Sequence, residues 1–291
     1  MEQNETFKDW LFRYQHIYRL RRTNKQKQRF LSALFKDIAE VRQDIQVIEY
    51  QKNKRYISSN LYVGNIEKAD RIICTYYDTP PQSLGAYYLF DRRQQRKATT
   101  NFILISLFAA LIAGLLLTIV YMKSANDTFD FRSFSTLLVV AGYGLYFYLL
   151  SKIAKGLSNR KTLIRNSSSI LSILTLITEI RDQKTAFAFV DEGCFGDVGL
   201  EVLQSSCRKS AKIYYLDCVG AEDELHFIGS SIPEARLKDF IVQPSSNQVT
   251  HIFSGKTEHS EQGERYYLEK SVLNSKTIQL NNLKIISKLF K

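Results

Sequence analysis

Residues 71–81 read RIICTYYDTPP. Arg71 to Tyr77 predicts a strand in the middle of a sheet, since its isoleucines and tyrosines leave no polar face for water. The run ends on a carboxylate, Asp78. Two later segments repeat the pattern. Thr185 to Val190 (TAFAFV) leads into Asp191-Glu192-Gly193-Cys194-Phe195-Gly196-Asp197-Val198-Gly199, and Lys212 to Asp217 (KIYYLD) leads into Cys218-Val219-Gly220. In open α/β sheets, sites form where strands end. These three strand ends are therefore where chemistry is to be sought.

Helical patterns surround the strands. Residues 5–22 carry Trp10, Leu11, Tyr14, Ile17, Tyr18 and Leu20 at near-helical spacing. Thr23-Asn24-Lys25-Gln26 is a polar break suited to capping a second helix. That helix, over Gln28 to Val41, places Phe30, Leu31, Leu34, Phe35, Ile38 and Val41 on one face. Short strands follow at Ile45 to Glu49 and Asn60 to Val63. Ser167 to Ile180 predicts a helix capped by its own serines. Gly199 to Ser206 opens another helix, Glu224 to Ile228 is a further strand, and Leu280 to Phe290 closes as a helix. The alternation predicts an α/β fold, a phosphorylase/hydrolase-like mixed sheet with helices on both faces.

One region breaks the pattern. Phe102 to Met122 (FILISLFAALIAGLLLTIVYM) and Ser133 to Ser151 (SFSTLLVVAGYGLYFYLLS) contain no charge. Each is long enough to cross a bilayer as a helix, about 20 residues. They predict a transmembrane hairpin, about 102–122 and 134–154 within 101–155, which divides one α/β domain into 1–100 and 156–291. The first stretch starts too far into the chain for a cleaved signal peptide. The loop from Lys123 to Arg132 is neutral. The outer flanks are basic, with Arg92, Arg93, Arg96 and Lys97 before the hairpin and Lys152, Lys155, Arg160, Lys161 and Arg165 after it. Lys and Arg stay on the cytoplasmic side. The expected location is therefore the cell membrane, with two spans and with both termini and the α/β domain cytoplasmic.

This patterning reinterprets the composition. The 291 residues hold 40 Lys plus Arg against 29 Asp plus Glu, a net charge of +11, and 45% hydrophobic residues. A disordered chain is excluded by that apolar content. The mean hydropathy of -0.20 averages a polar domain with an apolar insert. A +11 balance would suit nucleic acid, but no zinc finger, helix-turn-helix or aromatic-interleaved RNA motif is present. Much of the charge flanks the hairpin, where it meets anionic headgroups. The expected partners are the lipid bilayer and a peptide or membrane protein, with no nucleic acid. Cys74, Cys194, Cys207 and Cys218 have no metal-ribbon spacing and are read as reduced, buried or half-buried residues.

The order of these segments resembles the co-catalytic dizinc aminopeptidases, peptidase family M-twenty-eight, and within them bacterial membrane members with a two-helix insertion. Those proteins carry a strand ending A-H-Y-D-T-P, a helix opening N-D-N-x-S-G, and a strand ending D-x-E-E-x-G-L-x-G. A strand ending in Asp and a His before the last helix follow. Here the matching runs are residues 21–30 (RRTNKQKQRF), 60–69 (NLYVGNIEKA), 75–81, 165–169 (RNSSS), 191–199 and 217, with the insertion between the first and second motifs. The resemblance covers nearly the whole chain and implies two zinc ions, a bridging Asp and a Glu that takes a proton from water.

At those positions this sequence differs. The first-motif His falls on Tyr76, with Asp78 kept. The bridging Asp falls on Arg165, the Glu base on Gly193, the ligand Glu on Cys194 and the strand-end Asp on Asp217. The final His falls on about Val272. Only Asp217 keeps a ligand type, and Arg165 is a cation that does not deprotonate. No catalytic residue and no cofactor are then expected. The resemblance implies a membrane-anchored, catalytically inactive pseudopeptidase that binds a peptide or protein. One alternative is an active membrane zinc metallopeptidase using Asp78, Asp191, Glu192, Asp217 and a histidine. Another is a basic membrane-surface adaptor. Among the histidines, His226 is read as an ordinary strand residue, His251 and His259 fit no ligand spacing, and His16 lies far from the motifs. A Cys194–His226 thiol pair has no local support.

Overall fold

The computed structural model describes residues 2–53, 56–124, 133–194, 196–229, 241–243, 248–260 and 263–291. The chain forms two compact units. The first comprises 1–80, 86–90 and 159–291, and the second 81–85 and 91–158.

The first unit is built on a mixed sheet. Its strands are β1 (Ile45–Asn53), β2 (Tyr56–Val63), β3 (Arg71–Tyr76), β5 (Thr185–Val190), β6 (Lys212–Asp217), β7 (Leu225–Ile228), β8 (Ile241–Gln243) and β9 (Val249–Ser254). They lie in the order β1-β2-β5-β3-β6-β9-β7-β8. The centre, β5-β3-β6-β9, is parallel. The chain passes from β3 to β5 on one side and then to β6 on the other, so β3 stands at a switch point, where open α/β sheets form their sites. A small sheet pairs β10 (Lys256–Ser260) with β11 (Gly263–Leu268) and β11 with β4 (Tyr87–Tyr88).

Alternation along the central strands creates two cores. Ile73, Phe187, Phe189 and Leu216 point to one side. There they meet helices α1 (Glu2–Phe12), α2 (Asn24–Ala39), α5 (Ser168–Glu179) and α8 (Leu280–Phe290) through Trp10, Phe30, Leu34, Ile173, Leu174 and Ile286. Ile72, Cys74, Tyr76, Ala186, Ala188 and Val190 point to the other side, toward Leu200 and Leu203 of α6 (Val198–Ser206). Helices thus cover both faces, as the alternation predicts. The short helix α7 (Lys270–Leu273) precedes α8.

Local details depart from the sequence reading: β1 and β2 are longer than the strands read at Ile45 to Glu49 and Asn60 to Val63, and α2 starts at Asn24 and ends at Ala39 where the reading gives Gln28 to Val41. The helical spacing over 5–22 breaks at Phe12 and passes into a π turn at Arg13–Ile17. Phe35 is exposed, because α2 buries only the stripe of Phe30, Leu31, Leu34 and Ile38. The serines do not cap α5. It continues from a π turn at Leu163–Ser167, and the Ser168 hydroxyl donates back to the Ile164 carbonyl at 2.6 Å. The capping expected for α2 is present. Thr23 accepts from the Gln26 backbone, and Gln26 returns the bond to Thr23 N–H.

The second unit holds α3 (Arg92–Ser124) and α4 (Phe134–Ala154), both long and apolar enough to cross a membrane. The expected loop lies mostly in 125–132, outside the described residues. With 33 residues, α3 is about 50 Å long, against a hydrocarbon core of about 30 Å. The excess is its basic first turns. The helices meet through polar atoms, with Thr118 Oγ1 2.6 Å from Tyr143 Oη and Tyr146 donating to the Ala110 carbonyl at 3.1 Å. Phe108, Leu117, Phe134 and Leu137 face outward.

Candidate functional site

The C-terminal ends of β3, β5 and β6 gather the sequence-predicted residues. Tyr76 closes β3 and is buried. Its hydroxyl donates to Asp217 Oδ1 at 3.0 Å and accepts from Arg165 Nε at 3.2 Å. Tyr87, from β4, donates to Asp217 Oδ2 at 3.2 Å, and its ring lies 3.9 Å beneath the Arg165 guanidinium. The Cys218 thiol points to Asp217 Oδ1 at 3.1 Å. Val272 packs against the apolar cluster that contains Tyr87 and Cys218.

The charges here are set by neighbours. Burial opposes the Arg165 charge, but Tyr87, Tyr76, Cys194 and Asp217 outweigh it and hold the guanidinium above its usual value. Burial, with Asp217 and Tyr87, pushes the Tyr76 phenol far up, so it stays a neutral donor. Burial and Asp217 likewise keep Cys218 a thiol.

Gly193 and Tyr76 fit as a pair. A side chain at Gly193 would begin inside the Tyr76 Cβ and Cγ atoms. A Glu at 193 and a Tyr at 76 are sterically incompatible in this backbone.

A second cluster lies at the ends of β3 and β5. Cys194 N–H donates to the Asp78 carboxylate at 3.1 Å, and the Cys194 thiol to the Asp78 carbonyl at 3.3 Å. Asn166 Nδ2 holds the same carbonyl at 2.8 Å. Burial and Asp191 push Asp78 up to about 6, against the pull of Lys27, the Cys194 amide and Arg165. Asp191 is wholly buried and meets Lys27 Nζ at 2.6 Å. Glu192 accepts from Ser58. Arg21 is also wholly buried, over the Phe30 ring at 4.8 Å and 3.3 Å from Ser167 Oγ. Burial lowers it to about 10, with Cys194 and Asp78 opposing.

Backbone strain marks the same place. Glu192 and Cys218, each following a strand-end Asp, have φ of 62° and 52°. Such left-handed non-glycine residues cost about 1–3 kcal/mol and gather at sites.

As arranged, these side chains do not fit a zinc centre. Both Asp217 oxygens accept from tyrosine hydroxyls, Asp191 is paired with Lys27, and a guanidinium lies between the strand ends. Among the described residues, no three His, Cys, Asp or Glu side chains converge. The histidines sit elsewhere. His226 is buried, bonded to the Gly255 carbonyl at 2.8 Å and stacked on Phe253. His251 packs on Phe90 and Tyr215, His259 is exposed beside Glu264, and His16 is exposed. Cys194 instead bonds the Asp78 carbonyl.

Sequence reasoning missed Tyr87, Lys27 and Arg21. Tyr87 reaches the site from a two-residue strand and left no pattern to read. Lys27 did leave a signal, since a lysine near a helix N-terminus opposes the helix dipole and implies a compensating acid.

No protein-family model matches the chain. No curated protein matches it in sequence. Among solved structures it is similar to Bacteroides thetaiotaomicron glutaminyl cyclase bound to N-acetylhistamine, at 11% identity and TM-score 0.54, over 97% of this chain and 95% of that one. It is also similar to a leucine aminopeptidase precursor from the same organism, at 10%, 0.52, 97% and 94%. A Zn-dependent exopeptidase from Parabacteroides distasonis gives 9%, 0.52, 97% and 95%. These likenesses establish the fold: the chain has the α/β architecture shared by glutaminyl cyclases and zinc exopeptidases.

Proposed function

We propose that the chain is a membrane-anchored, aminopeptidase-like pseudoenzyme that binds a peptide or protein at the ends of β3, β5 and β6, without hydrolysis. The observation that carries this reading is Arg165. Its guanidinium bonds Tyr76 and stacks on Tyr87 among the strand ends where the fold's zinc enzymes, by the sequence resemblance, hold their metals. A fixed cation there repels dications. Gly193 supports the reading, since it has no group to take a proton and no room for one beside Tyr76.

In this reading α3 and α4 cross the cell membrane and the basic flanks keep the α/β domain and both termini cytoplasmic. A reporter at either terminus should report the cytoplasm; an outside signal overturns the topology. For the inactivity, purified full-length protein in detergent is supplied with zinc and offered aminoacyl and N-terminal glutaminyl substrates. No turnover above background is expected. Chelator-sensitive turnover would restore the active zinc peptidase.

A further inference from the structure

We propose that Arg165 is the anchor for the C-terminal carboxylate of a bound peptide. This deepens the peptide-binding reading above and rests on it. Arg165 is 7% exposed. Its Nε is committed to Tyr76, while its two terminal nitrogens have no hydrogen-bond partner among the described residues. The guanidinium carbon lies 3.9 Å over the Tyr87 ring, and Nε is tied to the Tyr76 hydroxyl at 3.2 Å, so the head group is held at two points. What remains is a held fork of N–H donors, the geometry that takes a carboxylate through two parallel bonds.

The surroundings select a monoanion. The Tyr76 and Tyr87 hydroxyls already donate to Asp217, so they hold that carboxylate and do not compete for the fork. The charge of Asp217 balances Arg165 at a distance and, with Glu192 at the end of β5, opposes a dianion such as phosphate. Cys194, Glu192 and Asp217 are partly exposed, which places the opening on this side of the cluster. An acid-terminated peptide gives the single negative charge and planar acceptor that the fork matches.

The test is titration calorimetry on the full-length protein in detergent with N-acetylated Ala-Ala-Ala-Leu, as free acid and as C-terminal amide. The acid should bind about 10- to 100-fold more tightly than the amide, the worth of a charge-assisted bond. Arg165→Gln should erase that difference, and Arg165→Lys should restore only part of it, because lysine neither forks nor stacks. Equal binding of acid and amide by the wild-type protein overturns the anchor but leaves peptide binding standing. Binding of neither form overturns the peptide reading itself. Inorganic phosphate that displaces the acid with higher affinity overturns the assignment to a carboxylate.

Discussion

Two charged clusters share the same edge of one sheet, and they are built differently. In the first, Lys27 and Asp191 meet directly at 2.6 Å, and their side chains are 11% and 0% exposed. In the second, Arg165 and Asp217 are joined through the Tyr76 hydroxyl, at 3.2 and 3.0 Å, and the terminal guanidinium nitrogens have no partner among the described residues. The first pairs its charges by direct contact through Asp191 Oδ1 and secures α2 to the end of β5. The second holds its cation in place without neutralising it by contact. We read the first as scaffold and propose the second as a site.

That contrast sets the largest expected effect. Lys27→Met leaves a wholly buried carboxylate without its cation and should cost about 3–5 kcal/mol in urea unfolding. A loss near zero would mean that Lys27 secures nothing.

Asp78 should act through pH. Its folded value of about 6 lies above the ordinary carboxylate value, so the folded state binds the proton more tightly. The stability from this group is full below about pH 4 and lost as pH rises through 6. Asp78→Asn should remove that loss and raise stability at pH 7 by up to about 3 kcal/mol. The gap between variant and wild type should widen from pH 4 to 6.5. A constant gap would show that Asp78 is not held out of water.

Gly193→Ala should cost about 1–3 kcal/mol by overpacking against Tyr76. In a double-mutant cycle Tyr76→Gly, which removes the Cβ that a side chain at 193 would meet first, should relieve most of that cost. Additive effects would show that the two positions are not coupled.

The smallest effect belongs to the second cluster. Arg165→Met should change stability by only about 1 kcal/mol, because Asp217 stays bonded to two tyrosines and partly solvated. If it costs as much as Lys27→Met, the contrast fails and both clusters are scaffold.

Much of the fold was legible because the central strands have no polar face. RIICTYY, TAFAFV and KIYYLD read as buried strands in the sequence and form β3, β5 and β6. The edge elements were not legible. β10 and β11 mix Glu258, Arg265 and Glu264 with aromatics and pair locally, so no apolar period marks them. At the site, the sequence named Tyr76, Arg165 and Asp217, and the structure bonds them together. Their geometry depends on Tyr87, 130 residues from Asp217 along the chain, and no local pattern encodes such a meeting. The serine run misled for a related reason, because the π turn before α5 redirects Ser168 to a carbonyl.

The central claim is that the guanidinium of Arg165 replaces metal at this sheet edge. It is tested most directly by the zinc bound per chain after equilibrium dialysis of the full-length protein against excess zinc, with Asp217→Asn dialysed beside it. The account predicts no stoichiometric zinc in either protein. Two zinc ions per wild-type chain, lost in Asp217→Asn, would contradict it.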